Sequence, residues 1–512
     1  MKTTPKCLSG LGAAILALGL AVTLAPVSRA QVQSPGDSSG SASSAAASAS
    51  PAPAPSSASA PAAVSETQQR LEELEKQVSV LQQQISNLQQ ADTPGLKTAA
   101  YSLNPPSDQA APAAAAAPDK VTFAGLLGPM TISGFVDGYY SFNFNQPGNL
   151  ADSTNPDGVD GNTLQFFDQS TNQFSLNAVE LVVDKAADAT PNGTGRAGYH
   201  IGVIYGQAAE AVNGTTFNGT SHTDFNNIAL KEAYVDYIAP IGSGLTLTLG
   251  KFVTPAGNEV IETNGNWNYS RSILFYYAIP YFHFGASAKY TFNPKWSVTG
   301  YLVNGWNNTT EFNTGKTYGA SVAWTPNMKW SITENYLAGP QCDTCFAGFV
   351  GKRNDNWRQL EDATIAWTPN AKWAFAFNGD YGYGDRFGNG VSTVDNSKPV
   401  SWWGIAPYAK YTFGPKAYFA LRYEYFSDPD GFLLPFFFTN AHVQEATATF
   451  AYNLTSGLQT RFEFRDDWSN NNIFMKGSGT DIESESFSPR YVGSQPILTF
   501  GFIYTFSSAN TK

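Results

Sequence analysis

Beyond its first thirty residues the sequence has no run of the roughly 18 apolar residues that a membrane-spanning helix requires. A helical membrane protein is excluded. Charge is scarce, with Asp, Glu, Lys and Arg at 14% of the chain, and the 41 acids outnumber the 30 bases. That sign argues against nucleic acid as a partner. Histidine occurs four times in 512 residues, and neither a serine-lipase elbow nor a zinc motif is present. No catalytic residues, metal, cofactor or enzymatic activity are expected. Cysteine occurs three times. Cys342 and Cys345 have CxxC spacing but no second pair to complete a metal site and no βαβ context for redox work. A local disulfide between them, in an oxidising compartment, is the expectation.

What the sequence does hold is aromatic residues, 14% of the total, and one repeated phrase. Tyr290-Thr-Phe-Asn-Pro-Lys-Trp296, Trp324-Thr-Pro-Asn-Met-Lys-Trp330, Trp367-Thr-Pro-Asn-Ala-Lys-Trp373 and Tyr411-Thr-Phe-Gly-Pro-Lys-Ala-Tyr418 each set a Pro/Gly/Asn turn between aromatics. Alternating apolar runs flank every copy. A soluble protein hides such rings in a core, whereas a transmembrane barrel places them as a girdle where its short turns leave the bilayer. Strands that alternate lipid-facing and lumen-facing residues also explain a mean hydropathy of only −0.24.

The amino-terminal quarter has a different character. Residues 1–30 combine Lys2 and Lys6, an apolar run from Leu8 to Ala25 and a small-residue exit at Ser28-Arg29-Ala30, the pattern of a secretory signal peptide. Cys7 precedes the apolar run, which is the wrong place for lipid anchoring. Its removal takes three bases and no acids, so the mature chain is more acidic than the formal −11 of the whole sequence. The acidic balance leans toward cation preference. Residues 31–64 are an Ala/Ser/Pro-rich linker that cannot bury enough apolar surface to fold. In residues 65–90, Leu71, Leu74, Val78, Leu81, Ile85 and Leu88 recur at spacings of three and four behind a capping box at Ser65-Glu-Thr-Gln68. A short coiled-coil helix is predicted, with a trimer as the expected homo-oligomer and a single amphipathic helix as the alternative. Residues 91–120 are a second Ala/Pro-rich linker.

From Thr131 the period is two. Ile132, Gly134, Val136, Gly138, Tyr140, Phe142 and Phe144 share one face, and Ser133, Asp137, Ser141 and Asn143 share the other. This alternation continues through sixteen segments separated by alternating short and long links. The prediction is an all-β transmembrane antiparallel up-and-down barrel of about sixteen strands over 121–506, with a tail at 507–512. In the last strand Leu498, Phe500, Phe502, Tyr504 and Phe506 line one face, the pattern that outer-membrane assembly machinery reads. Both termini are expected on the periplasmic side.

A sixteen-stranded barrel is wide enough for water, so something must narrow it. The third long link, which carries Glu259, Glu262 and Arg271, is the candidate. Its two acids are expected to face Lys289, Lys410, Arg422, Arg461 and Arg465, all of inward parity, as a pore constriction. The bland alternative makes them solvated wall residues, or pins that hold the link. Lys251 has outward parity and should snorkel at the rim. His200 and His283 should be lumen-wall histidines.

Gly250-Lys-Phe-x-Thr254-x-x-Gly257-x-Glu259, Asn268-Tyr-Ser-Arg-Ser272, Pro280-x-x-His283-x-Gly285, Gly134-Phe-Val-Asp-Gly-Tyr-Tyr140 and Glu232-Ala-Tyr-Val235 together resemble the OmpL-like putative beta-barrel porin family of Gram-negative outer membranes. The likeness spans roughly 131–506, and the family is known chiefly as pores of undefined substrate. The expectation is an outer-membrane porin for small hydrophilic solutes and ions, in contact with outer-membrane lipids. Two alternatives stand beside it. One is a sugar-selective porin using Trp267, Tyr269, Phe275, Tyr276 and Tyr277 as a stacking slide. The other is an anchor whose coiled coil reaches peptidoglycan or a periplasmic partner.

Overall fold

The computed structural model describes residues 128–147, 161–190, 193–212, 228–311, 313–341, 354, 357–384, 399–434, 439–477 and 490–510. The signal peptide, both linkers, the coiled coil and the Cys342/Cys345 pair lie outside the described residues.

Period-two alternation builds β1 (Thr131–Asn143), β2 (Gln173–Lys185), β3 (Ala197–Tyr205), β4 (Ile228–Ala239), β5 (Leu245–Val253), β6 (Phe282–Asn293), β7 (Trp296–Val303) and β8 (Thr317–Asn327). It continues through β9 (Trp330–Pro340), β10 (Trp357–Trp367), β11 (Trp373–Gly384), β12 (Val400–Gly414), β13 (Ala417–Asp428), β14 (Ala441–Asn453) and β15 (Leu458–Ser469). A two-stranded hairpin of β16 (Phe474–Lys476) and β17 (Arg490–Val492) sits in the last long link, before β18 (Ser494–Ser507). Each barrel strand pairs antiparallel with its sequence neighbour, and β18 closes the ring on β1 with Gly134 opposite Phe506 and Tyr140 opposite Phe500. The result is a closed barrel of sixteen strands, as the alternation predicts. Closure leaves no unpaired edge.

The repeated phrase makes the turns it promises. Asn293, Asn327 and Asn370 each turn a side-chain Oδ1 onto a backbone N–H two residues on, at 2.8, 2.9 and 2.9 Å. Just outside the turns the rings stack along the outer wall, Trp296 on Trp324 and Trp330 on Trp367, each pair 5.4 Å apart. The fourth phrase carries one residue more. Its extra residue moves the closing aromatic by one position and puts Tyr418 on the inward face beside Lys410, so this ring leaves the girdle.

A bulge in β4 also shapes the wall. Gly202 pairs with Glu232 and Val203 with Leu230, which leaves Lys231 as the extra residue of β4. Both Lys231 and Glu232 consequently turn inward, where alternation alone would send one of them to lipid.

Candidate functional site

The link between β5 and β6 carries the charges singled out in the sequence, and it lies inside the ring of strands. Asn266 folds its first half by accepting from Val260 N at 2.9 Å and donating to Val260 O at 2.8 Å. The second half contains a π-helical turn, Leu274–Ala278, with all five residues buried. Two wall glycines make room for it. A Cβ on Gly501 of β18 would stand 2.3 Å from the Tyr269 ring, and one on Gly404 of β12 would stand 2.6 Å from Leu274.

Charged side chains hold the backbone of this link. Glu463 of β15 accepts from Tyr269 N (2.5 Å) and Ser270 N (2.9 Å), while Glu424 of β13 accepts from Ile273 N (2.6 Å) and Leu274 N. Glu259, within the link, accepts from Ser272 N at 2.7 Å. The carbonyls meet arginines. Arg422 donates to Ser270 O (2.7 Å) and Arg271 O (3.2 Å), Arg465 to Arg271 O (2.5 Å), and Arg461 to Thr263 O (2.9 Å) and Asn268 O (2.8 Å). These groups are almost fully buried, so each amide and carbonyl needs the partner it has.

The ion pairs follow the same logic. Glu259 meets Arg422 at 2.6 Å, Arg422 also binds Glu445 of β14, and Arg465 meets Asp467 at 2.7 Å. Glu262 meets none of the five bases proposed from the sequence. Its partner is Lys231, which also lies 2.5 Å from Glu180 and 3.3 Å from Glu232. Arg271 forms no ion pair among the described residues, although its charge acts on the buried Asp137 and Asp168. It donates to Tyr269 O (3.2 Å) and Ile261 O and sits 5.0 Å over the Phe167 ring. Lys289 is inward and exposed, and Lys410 stands 4.6 Å from the Trp267 ring centroid. Parity found the bases of this wall but passed over Glu424, Glu445, Glu463 and Asp467, which obey the same rule.

Other links pack onto the third. Asp168, in the first long link, accepts the Tyr276 hydroxyl at 2.5 Å. Burial pushes its carboxyl above the usual range against the opposing pull of the Arg465 guanidinium. Burial, reinforced by Asp168, pushes the Tyr276 hydroxyl well up. Phe167 meets Phe275, Tyr276 and Tyr281 ring to ring at 5.4–5.9 Å. Tyr269, Phe275, Tyr276 and Tyr277 are therefore core residues, facing neither an open slide nor lipid. Trp267 alone of the five is partly accessible. Lys251 departs from expectation too: its parity is outward, but it is buried, donating to Leu230 O at 2.7 Å with its ammonium 3.9 Å over Phe282. The Phe282 ring and a carbonyl reach it before water does.

His283 is buried between Gly305 O (2.8 Å) and Thr254 Oγ1 (3.3 Å). His200 stacks on Tyr234 at 5.0 Å, 3.0 Å from Asp184 and 3.4 Å from Glu232. These companions come from β2 and β4, which sequence spacing cannot reveal. Around the half of the barrel nearest the long links, inward residues such as Asp137, Glu180, His283, Asn335, Asp362, Asn378 and Glu445 are buried. Toward the short turns Thr246, Lys289, Thr299, Lys410 and Thr412 are accessible.

A closed antiparallel barrel of sixteen strands, banded by tryptophan outside and polar within, has the architecture of a porin of the bacterial outer membrane. The chain belongs to the family described as Putative beta-barrel porin-2, OmpL-like, whose match covers residues 129–506. Among solved structures it is similar to the outer membrane channel DcaP of Acinetobacter baumannii, at 11% identity and a TM-score of 0.45 over 74% of this chain and 97% of that one. It is also similar to the anion-selective porin from Comamonas acidovorans, at 10% identity and a TM-score of 0.45 over 74% and 99%. The trimer form of OmpT from Vibrio cholerae follows, at 9% identity and a TM-score of 0.44 over 74% and 99%. No curated protein matches the sequence.

Proposed function

We propose that this porin passes small hydrophilic solutes and ions by passive diffusion, with the third long link as the element that narrows the barrel. The observation that carries this reading is the grip of Glu424, Glu463, Arg422, Arg461 and Arg465 on the backbone of residues 263–274. A link held at so many points is rigid, and a rigid obstruction sets a fixed size limit. The pore constriction in this proposal comprises Glu259, Glu262, Arg271, Arg422, Arg461 and Arg465 as its frame and Lys289 and Lys410 as its accessible charges. The proposal extends to a trimer, a periplasmic amino terminus and a disulfide between Cys342 and Cys345.

Single-channel conductance in planar bilayers tests it, using the purified mature protein under a salt gradient. Stepwise currents are expected, larger in a variant whose residues 260–274 are replaced by a short Gly/Ser bridge. Silence from protein shown to be folded and inserted would overturn the reading. Sugar block is the discriminating control for the sugar-selective alternative, which the burial of four of its five proposed aromatics disfavours.

A further inference from the structure

The lumen bases have different fates, and Lys231 shares that of the arginines. Arg422, Arg461 and Arg465 are buried and occupied by carboxylates and link carbonyls. Lys410, among the described residues, makes no hydrogen bond and no ion pair, and its inward neighbours in register, Ala374 and Ala420, leave the ammonium room. Two rings bound that space: Trp267, 4.6 Å away, and Tyr418, 5.6 Å away. Tyr418 donates to the backbone carbonyl of Trp267 at 3.0 Å and so holds the backbone that carries the indole. The extra residue in the fourth copy of the repeated phrase turns Tyr418 to this face. The like charge of Arg461 acts on Lys410 and adds to the positive potential at this spot. An uncompensated ammonium in a chain with an excess of acids attracts an anion from solution, and the aromatic walls favour one with an apolar body.

We propose that Lys410, Trp267 and Tyr418 form a binding station for small carboxylates that carry a ring, on the short-turn side of the third link. It rests on the porin reading for its role in transport but not for its chemistry. Lys289, also inward and unpaired among the described residues, adds attraction without a ring beside it.

The test uses the full mature protein in planar bilayers, with benzoate as the probe and benzamide as its neutral counterpart. Benzoate is expected to interrupt the current, benzamide is not, and K410Q should weaken the block about tenfold or more, the worth of a charged hydrogen bond. K410R should restore most of it, and K289Q should lower only the rate of block. Equal block by benzamide, or a K410Q variant blocked like the parent, overturns the station. Should the folded protein pass no current, the porin reading fails alone. Saturation-transfer NMR of benzoate on the detergent-solubilised barrel then decides the station: transfer lost in K410Q supports it, and no transfer to the parent protein ends it.

Discussion

Glu259 lies 2.6 Å from Arg422, across a contact that joins the third long link to strand β13, and both side chains are almost fully buried. Arg422 serves Glu259, Glu445 and two link carbonyls at once. Removing it leaves the buried Glu259 without its ion-pair partner and Glu445 with only Arg465, 3.4 Å away, and breaking a buried pair costs about 3–5 kcal/mol where the structure cannot relax. Here the link can relax by leaving the wall. R422A should therefore raise single-channel conductance and speed amide exchange of residues 269–274, while the barrel itself keeps its heat resistance. E259Q, which keeps the shape and one hydrogen bond, should act in the same direction but less. Unchanged exchange in R422A would mean that the remaining contacts suffice to hold the link.

The Tyr269 ring covers the bare backbone of Gly501 and donates its hydroxyl to Asp137 at 2.8 Å. A methyl at position 501 would stand 2.3 Å from that ring, a separation that forces one of them to move. The wall is a paired strand and the link is not, so the ring moves. G501A should displace Tyr269 at a cost of about 1–3 kcal/mol. The measurement is link protection together with conductance; a variant that matches the parent in both would show that Tyr269 is no anchor.

The barrel was legible because alternation is a local signal repeated sixteen times, and the aromatic turns mark where β6 and β7, β8 and β9, β10 and β11, and β12 and β13 fold back. Its failures have local causes. The first half of β2 is hidden because Asn177 is an extra residue there: Asp137 pairs with Ala178 and Gly138 with Leu176, so the pattern slips. The β16–β17 hairpin is three residues a side, too short to show a period. The link's interior was least legible, since Tyr269, Leu274 and Phe275 follow no strand or helix period. Their burial depends on Gly501, Gly404 and Phe167, which are distant in sequence. Parity could place Arg422 and Arg461 inside, but not reveal that backbone carbonyls would occupy them.

Lys231 is nearly fully buried among Glu180, Glu232 and Glu262. Replacing it with methionine leaves three carboxylates facing one another in a confined space, so the penalty should reach the upper part of the 3–5 kcal/mol range for breaking a buried pair. K231M should lower the unfolding midpoint of the refolded barrel in urea. Adding E180Q should recover part of the loss, because the remaining charge is smaller. If the double variant is no better than K231M, the damage comes from the bulge geometry and not from charge.

Asp168, outside the strands, gives a pH dependence with a buried group behind it. Burial holds its carboxyl above the ordinary range in the folded protein, so the folded state takes up a proton before the unfolded state does. Its contribution is fully present below the ordinary value of about 3.9 and is lost as pH rises through the raised value. The segment from Leu164 to Asp168, corrected for intrinsic exchange rates, should thus be better protected near pH 4 than at pH 7. D168N cannot ionise and keeps an oxygen to accept the Tyr276 hydroxyl, so its protection should be flatter across that range and at pH 7 no lower than the parent's. An identical pH profile in both proteins would assign the effect to another group and leave the Arg465 guanidinium as the stronger influence on this carboxyl.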